Sequence, residues 1–297
     1  MKSKRRGDVL SEWLPAWRVK RIIRYLLLNA VAYGLTIIFA LPFLWAVSSS
    51  LKPVNELFLW PPQLIPKTWR FENYVEIWHV APLARFFLNT VFVTVFSVSG
   101  RILSAALVAY GFARFRFPFR NFLFLLLLST LMLPYQVTII PTFLLFKAFG
   151  WLDTYNPLII PNWFGGGAFA IFLFRQFFLT IPKDLDEAAK IDGANTLWIF
   201  IRIILPLSKP VVITMIVIGF LESWNDFFGP LIYLNTPEKY TLSLGLANFQ
   251  RVVSAGGQAT EHLLMAASMV MTLPSILVFI LLQRYYIQGV VISSGSK

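Results

Sequence analysis

The sequence predicts an all-α membrane protein with six transmembrane helices, and three observations carry that prediction. Of the 297 residues, 57% are hydrophobic and only 13% charged, whereas a soluble domain carries about 25% charged residues. Six apolar stretches reach the roughly 20 residues needed to cross a bilayer core. Those stretches are unbroken rather than alternating, which suits helices and not barrel strands, because backbone groups in lipid need internal partners. Mean hydropathy of +0.68 agrees. This composition excludes a soluble enzyme and a disordered chain.

The spans fall at residues 25–47, 86–111, 121–146, 157–178, 211–234 and 263–286. A basic segment, 1–24, precedes them, and a tail, 288–297, follows. The basic start reads as the approach to a retained first span, because the apolar run after it is too long for a signal peptide and lacks a small-residue cleavage site. An even number of spans puts both termini on one side. Of the 26 Lys and Arg, 18 fall on the terminal side, seven on the other, and Arg101 lies within a span. Basic residues collect in cytoplasmic loops, so both termini are expected inside. The net charge of +12 is then mainly a topology signal, and nucleic acid is not an expected partner.

No Cys is present and the two His, His79 and His262, stand far apart. Thiolate chemistry, disulfides and a His-based metal site are therefore not expected. No internal repeat stands out.

The connections differ in character. Residues 48–85 hold Pro53, Pro61, Pro62, Pro66 and Pro82 together with Trp60, Trp69 and Trp78. Prolines at that density forbid one continuous helix, and the tryptophans suit the membrane interface. The segment reads either as a lip on the bilayer or as a contact surface for an external partner. A short basic turn, Phe112 to Arg120, joins spans two and three.

Between spans four and five, residues 180–210 exceed what a plain connection needs. Asp184 with Glu187 three residues later resembles a capping box, and the acidic first turn suits a helix N-terminus. That helix should stop at Gly193. Asn195 or Thr196 can cap a second segment, Leu197 to Leu205, closed by Pro206. The expectation is a cytoplasmic helix–turn–helix.

Here a family resemblance emerges. Glu187-Ala188-Ala189, three residues, Gly193, nine residues, Ile203, one residue and Leu205-Pro206 resembles the EAA signature of ABC-importer permeases. The fuller run from Glu187 through Asp192 to Ala194 resembles the carbohydrate, maltose-type branch. Ser50-Leu51-Lys52-Pro53 with Glu56, Glu72-Asn73-Tyr74, Ala109 to Arg114, Trp224-Asn225 and Pro230-Leu231 extend the resemblance over nearly the whole chain. The C-terminus departs from it: Gln288-Gly289 is present, but the run continues Val290 to Lys297.

The resemblance implies the type I ABC importer permease fold, with a cytoplasmic coupling helix between spans four and five. It implies a second permease subunit, two copies of an ABC ATPase, an extracytoplasmic solute-binding protein and a sugar substrate, in a bacterial or archaeal cytoplasmic membrane. Lipid surrounds the chain. Glu187, Ala188, Ala189, Asp192, Gly193, Ile203, Leu205 and Pro206 are then the ATPase-coupling residues. ATP and Mg would sit on the partner ATPase and no cofactor on this subunit, which lacks a G-x-x-x-x-G-K-[ST] phosphate loop.

Polar groups inside spans are functional candidates. Arg101 on span two and Glu222 on span five both fall roughly 18–22 Å below the outer surface at about 1.5 Å per residue. An ion pair with Glu222, or else with Asp226, is expected. Trp224 and Asn225 have sugar-binding chemistry and are candidates for the translocation path, though they also belong to a family packing motif. Gly165 to Gly167, Pro134 and Pro141 are weak points that serve close packing or a hinge. Rival readings are an ion-coupled secondary transporter, which commonly shows repeated halves, a permease of the same family for a solute such as glycerol 3-phosphate, and a membrane-embedded hydrolase, which would want paired catalytic groups facing one another, whereas no His lies within a span core.

Overall fold

A computed structural model describes residues 16–255 and 261–294. The basic cluster Lys2 to Arg6 and the last three residues lie outside that range. All regular elements among the described residues are helical.

In chain order the α-helices are α1 (Ala16–Ser50), α2 (Val54–Leu57), α3 (Asn73–Val80), α4 (Leu83–Arg114), α5 (Arg120–Ser129), α6 (Tyr135–Ala148), α7 (Asn156–Trp163) and α8 (Ala168–Thr180). After them come α9 (Asp184–Ile191), α10 (Thr196–Ile199), α11 (Leu205–Leu207), α12 (Lys209–Trp224), α13 (Phe228–Tyr233), α14 (Leu242–Ala255) and α15 (Glu261–Ser294). Six apolar spans result by length and composition, if each bent helix pair counts as one. Four are long single or nearly straight runs; the others are α5 with α6, bent by 100°, and α10–α11 with α12, bent by 77°.

The breaks have physical causes. Span three was expected to be continuous from 121 to 146, but it stops at a 3₁₀ turn over Thr130–Met132. Pro134 lacks an N–H and its ring collides with the carbonyl four residues back. Leu133 before it is driven extended (φ −80, ψ 113). Pro141, by contrast, is carried inside α6. Span four is interrupted after Trp163 by Gly165, Gly166 and Gly167, all at positive φ. A Cβ on Gly166 would strike the backbone of Arg101 on α4, so glycine there permits both the turn and the close approach. Span five, expected through 234, stops at Trp224 and resumes at Phe228. Pro230 again removes an N–H and crowds the carbonyl of Asp226.

The expected tail is also corrected in part: α15 continues through Ser294, so residues 288–294 prolong the last helix.

Helix α4 is the central post. It packs against α7, α8 and α12, and α12 packs in turn on α15. Its buried Ala105, Ala106, Ala109 and Ala113 present small side chains that let α8 approach. One core gathers these alanines with Phe174, Phe178, Ile199, Phe200 and Met215. A second surrounds Trp224, Phe86, Ile77 and Leu263. Helix α1 packs along α15 and leaves most of its apolar surface exposed, as lipid allows.

The segment after α1 is stapled from within. Asn73 Nδ2 donates to the carbonyls of Ser50 (2.9 Å) and Lys52 (3.0 Å), and Tyr74 shares a 2.7 Å hydrogen bond with Ser50. Lys52 lies 4.5 Å from the Trp45 ring centroid, and Glu56 accepts from the amides of Lys67 and Thr68. The paired fragments Ser50–Pro53 and Glu72–Tyr74 are thus one structural unit.

Candidate functional site

The residues singled out by sequence assemble at two places, one at the α9 end of the bundle and one within the spans. At the first, α9 begins with Asp184, Asp186 and Glu187 in its first turn. The expected capping box is absent: Lys183 is the N-cap and no side chain caps the helix. Asp186 is instead turned inward, with Oδ2 2.9 Å from Arg114 Nε at the end of α4; their side chains are 10% and 4% exposed. Arg114 also donates to the Ile181 carbonyl at 3.0 Å. This buried pair bolts α9 to α4, and sequence reading missed it.

The end of α9 follows the glycine logic. Gly193 adopts φ +82, its amide donates to Lys190 O at 3.0 Å and the Ala194 amide reaches Ala189 O at 2.9 Å. These two bonds make a Schellman turn, which a β-carbon would strain. Asn195 then caps α10 by accepting from the Trp198 amide at 2.8 Å.

The second segment is not closed at Pro206. A π-helical turn over Phe200–Ile204 carries the chain through Pro206 to Leu207. The wider turn lets the Leu205 amide bond to Phe200 O just before the proline, which has no N–H to place.

Ala189 is buried while Glu187, Ala188 and Asp192 are exposed; Ile203 and Leu205 pack partly against the core, and Pro206 is exposed. Between α9 and α10 lies a groove of about 640 Å³, lined by Leu185, Ala188, Asp192, Gly193, Trp198 and Ile203. Exposed Leu185 and Trp198 make its rim apolar. Their spacing along two short helices offered the only sequence signal for that rim.

Within the spans, Arg101 Nη1 forms an ion pair with Glu222 Oε2. Arg101 Nε also donates to Asn162 Oδ1 at 3.3 Å, and Asn162 Nδ2 donates to Leu158 O at 3.0 Å. One guanidinium thus joins α4, α7 and α12. Asp226 does not take part; its Oδ1 accepts from the Gly229 amide in the first turn of α13 at 3.1 Å. The cluster borders a cavity of about 200 Å³ whose walls include Ser97, Arg101, Asn162, Glu222 and Asp226. Asn162, unnoticed in the sequence, is the residue that connects the pair to the glycine break.

Trp224 does not face this cavity. Its ring is 2% exposed, sandwiched by Phe220 and the edge of Phe87, and its indole N–H donates to Met271 O at 3.0 Å. Buried in this way, it packs between helices and lies outside the cavity lining. Asn225 is exposed and donates to Leu221 O at 2.8 Å.

A third feature was also missed. Asp153, in the α6–α7 loop at φ +57, accepts from the amides of Asn235 (3.0 Å) and Thr236 (2.9 Å), from Thr236 Oγ1 (2.6 Å) and from Lys239 Nζ (2.8 Å). Lys239 and Thr236 together hold its carboxyl well below the usual carboxylate range. Among the described residues no group of three or more His, Cys, Asp or Glu is arranged to hold a metal.

Comparisons with known proteins agree with this architecture. Residues 101–292 match the family described as binding-protein-dependent transport system inner membrane component. A probable ABC transporter permease protein of Pyrococcus horikoshii is 35% identical over 275 residues, 91% of this chain and 98% of that protein. The sn-glycerol-3-phosphate transport system permease protein of Yersinia enterocolitica is 36% identical, covering 80% of this chain and 85% of that one. Among solved structures, a chain of a bacterial ABC transporter involved in the import of the acidic polysaccharide alginate superposes with a TM-score of 0.78 at 27% identity, covering 91% of this chain and 98% of that one. The chain therefore belongs to the binding-protein-dependent ABC transporter permease family, as a multi-pass inner membrane component.

Proposed function

We propose that this chain is one permease subunit of a sugar importer, and that it receives the work of ATP hydrolysis through the α9–α10 groove. The carrying observation is the buried Arg114–Asp186 pair. It fastens α9 to the same helix that holds Arg101, 13 residues further up, or about 20 Å at 1.5 Å per residue. A force applied to α9 is thereby delivered to a polar cavity inside the membrane. Ala188 admits close approach of a partner surface, Glu187 stands exposed for a basic group opposite, and the apolar rim supplies contact area.

The partners of this reading are a second permease, two ATPase copies that bind ATP and Mg, and an external solute-binding protein. Both termini face the cytoplasm, on the basic-residue asymmetry. Sugar is favoured by the carbohydrate-type signature and by the polysaccharide transporter of similar structure; the glycerol 3-phosphate relatives support a second reading, a phosphorylated solute. The test is uptake into proteoliposomes containing the assembled complex. Uptake that requires internal ATP and vanishes when the ATPase subunit is omitted supports the proposal. Uptake driven by an ion gradient alone refutes it.

A further inference from the structure

At one end of the seam between α5 and α8 stands an arginine whose charge no described residue answers. Arg175 lies on α8, five residues before that helix ends at Thr180, or about 7–8 Å along the axis at 1.5 Å per residue. Helix α5 packs on α8 and starts at the same end with Arg120. With both termini in the cytoplasm, as proposed, this end lies at the headgroup level of the inner leaflet.

The guanidinium of Arg175 is held over an aromatic floor. Its carbon is 4.1 Å from the centroid of the Phe124 ring, and that ring is buried and stacked on Phe172. Its Nε is buried and meets no acceptor. Among the described residues Arg175 forms no ion pair, and the charge that bears on it is that of Arg120, of like sign. Carboxylates are remote in sequence. None occurs from residue 77 to residue 152 or on α8, and Asp186 is already taken by Arg114.

A desolvated cation beside a like charge is unfavourable, so this place calls for an anion. Phosphate suits the guanidinium fork, which binds its oxygens in pairs, and basic pockets between membrane helices on the cytoplasmic side take anionic lipid headgroups. Depth favours lipid over free phosphate: Arg175 lies inside an apolar span, on two aromatic rings, and α5 runs on from Arg120 as Asn121 and then Phe and Leu alone through Leu128. A zwitterionic lipid would bring its own cation up to Arg120, so the headgroup should carry net negative charge.

We propose that Arg175 and Arg120 hold the phosphate of an anionic phospholipid of the inner leaflet, at the seam of α5 and α8. The site does not depend on which solute the importer carries.

Native mass spectrometry of the complete detergent-purified complex tests this, with dioleoylphosphatidylglycerol as the probe and dioleoylphosphatidylcholine as the zwitterionic control. The wild type should retain one more phosphatidylglycerol per copy of this chain than Arg175→Gln, and no such excess of phosphatidylcholine. Because that glutamine could disturb assembly, Arg120→Gln is the second variant, and it should lower the occupancy of the same lipid at least threefold. Inorganic phosphate in large excess should leave the lipid in place. Equal retention by the wild type and both variants, equal retention of phosphatidylcholine, or displacement by inorganic phosphate would overturn the site. So would loss of the second permease from Arg175→Gln with lipid retention unchanged, which would make a partner carboxylate the counter-ion.

Discussion

Arg114 and Asp186 lie 72 positions apart in the chain, yet their side chains meet at 2.9 Å with almost no exposure to solvent. The contact is the only ion pair between α4 and α9 among the described residues. Removing one partner of a buried pair costs about 3–5 kcal/mol, because the other charge is left buried and uncompensated. Arg114→Met or Asp186→Leu alone should therefore lower the yield of assembled complex sharply. The double variant should recover a large part of it. Thermal stability of the detergent-purified complex checks this, and equal stability of single and double variants would argue against the pair.

The Arg101–Glu222 pair behaves differently because more than half of the Glu222 side chain is exposed, which weakens the pair relative to a fully buried one. An unpaired charge at the bilayer centre costs about 2.5–3.5 kcal/mol on insertion scales, and that exposure places the penalty here below it. Arg101→Met and Glu222→Gln should each depress transport several-fold, whereas the double variant should transport better than either. Initial uptake rates, normalised to inserted protein, decide the ordering.

The Asp153 clamp carries a pH signature. Its carboxyl is held below the usual range when folded, so the stabilisation is fully present above about pH 4, the ordinary carboxylate value. It fades as pH falls from there through the depressed value. Hydrogen exchange at the Asn235 and Thr236 amides, corrected for the intrinsic rate, should show protection that is constant from pH 7 to 5 and declines below about pH 4. Asp153→Asn should remove both the protection and its pH dependence.

Much of this molecule is legible in its sequence, though unevenly. Up to six spans are legible from apolar runs, because lipid imposes a length, but the bounds of the fifth are not: the bent run covers 196–224 and not 211–234. The Gly193 stop and the Asn195 cap follow from local chemistry. Arg101 and Glu222 were paired by depth alone, since two costly charges at one level satisfy each other. The breaks were less legible: Pro134 and Pro141 look alike in the sequence, and only packing shows that the helix yields at the first. Pro230 carries the signal for the span-five break, but its effect falls four residues upstream, at Asp226. The Arg114–Asp186 bolt, the Asn162 link and the Asp153 clamp join distant segments, and no local pattern announces such contacts. The burial of Trp224 was illegible for a related reason: it is decided by Phe87 on α4 and Met271 on α15.

Energy coupling through α9 is tested most directly by Gly193→Val and Glu187→Lys in the reconstituted complex. A β-branched residue at positive φ costs on the order of 1–3 kcal/mol and would distort the Schellman turn that shapes the groove. The lysine would reverse the exposed charge beside it. Both variants should insert into the membrane normally, yet lose ATPase docking and at least nine-tenths of ATP-driven uptake. Wild-type uptake by both would contradict the assignment of α9 as the element that receives the ATPase.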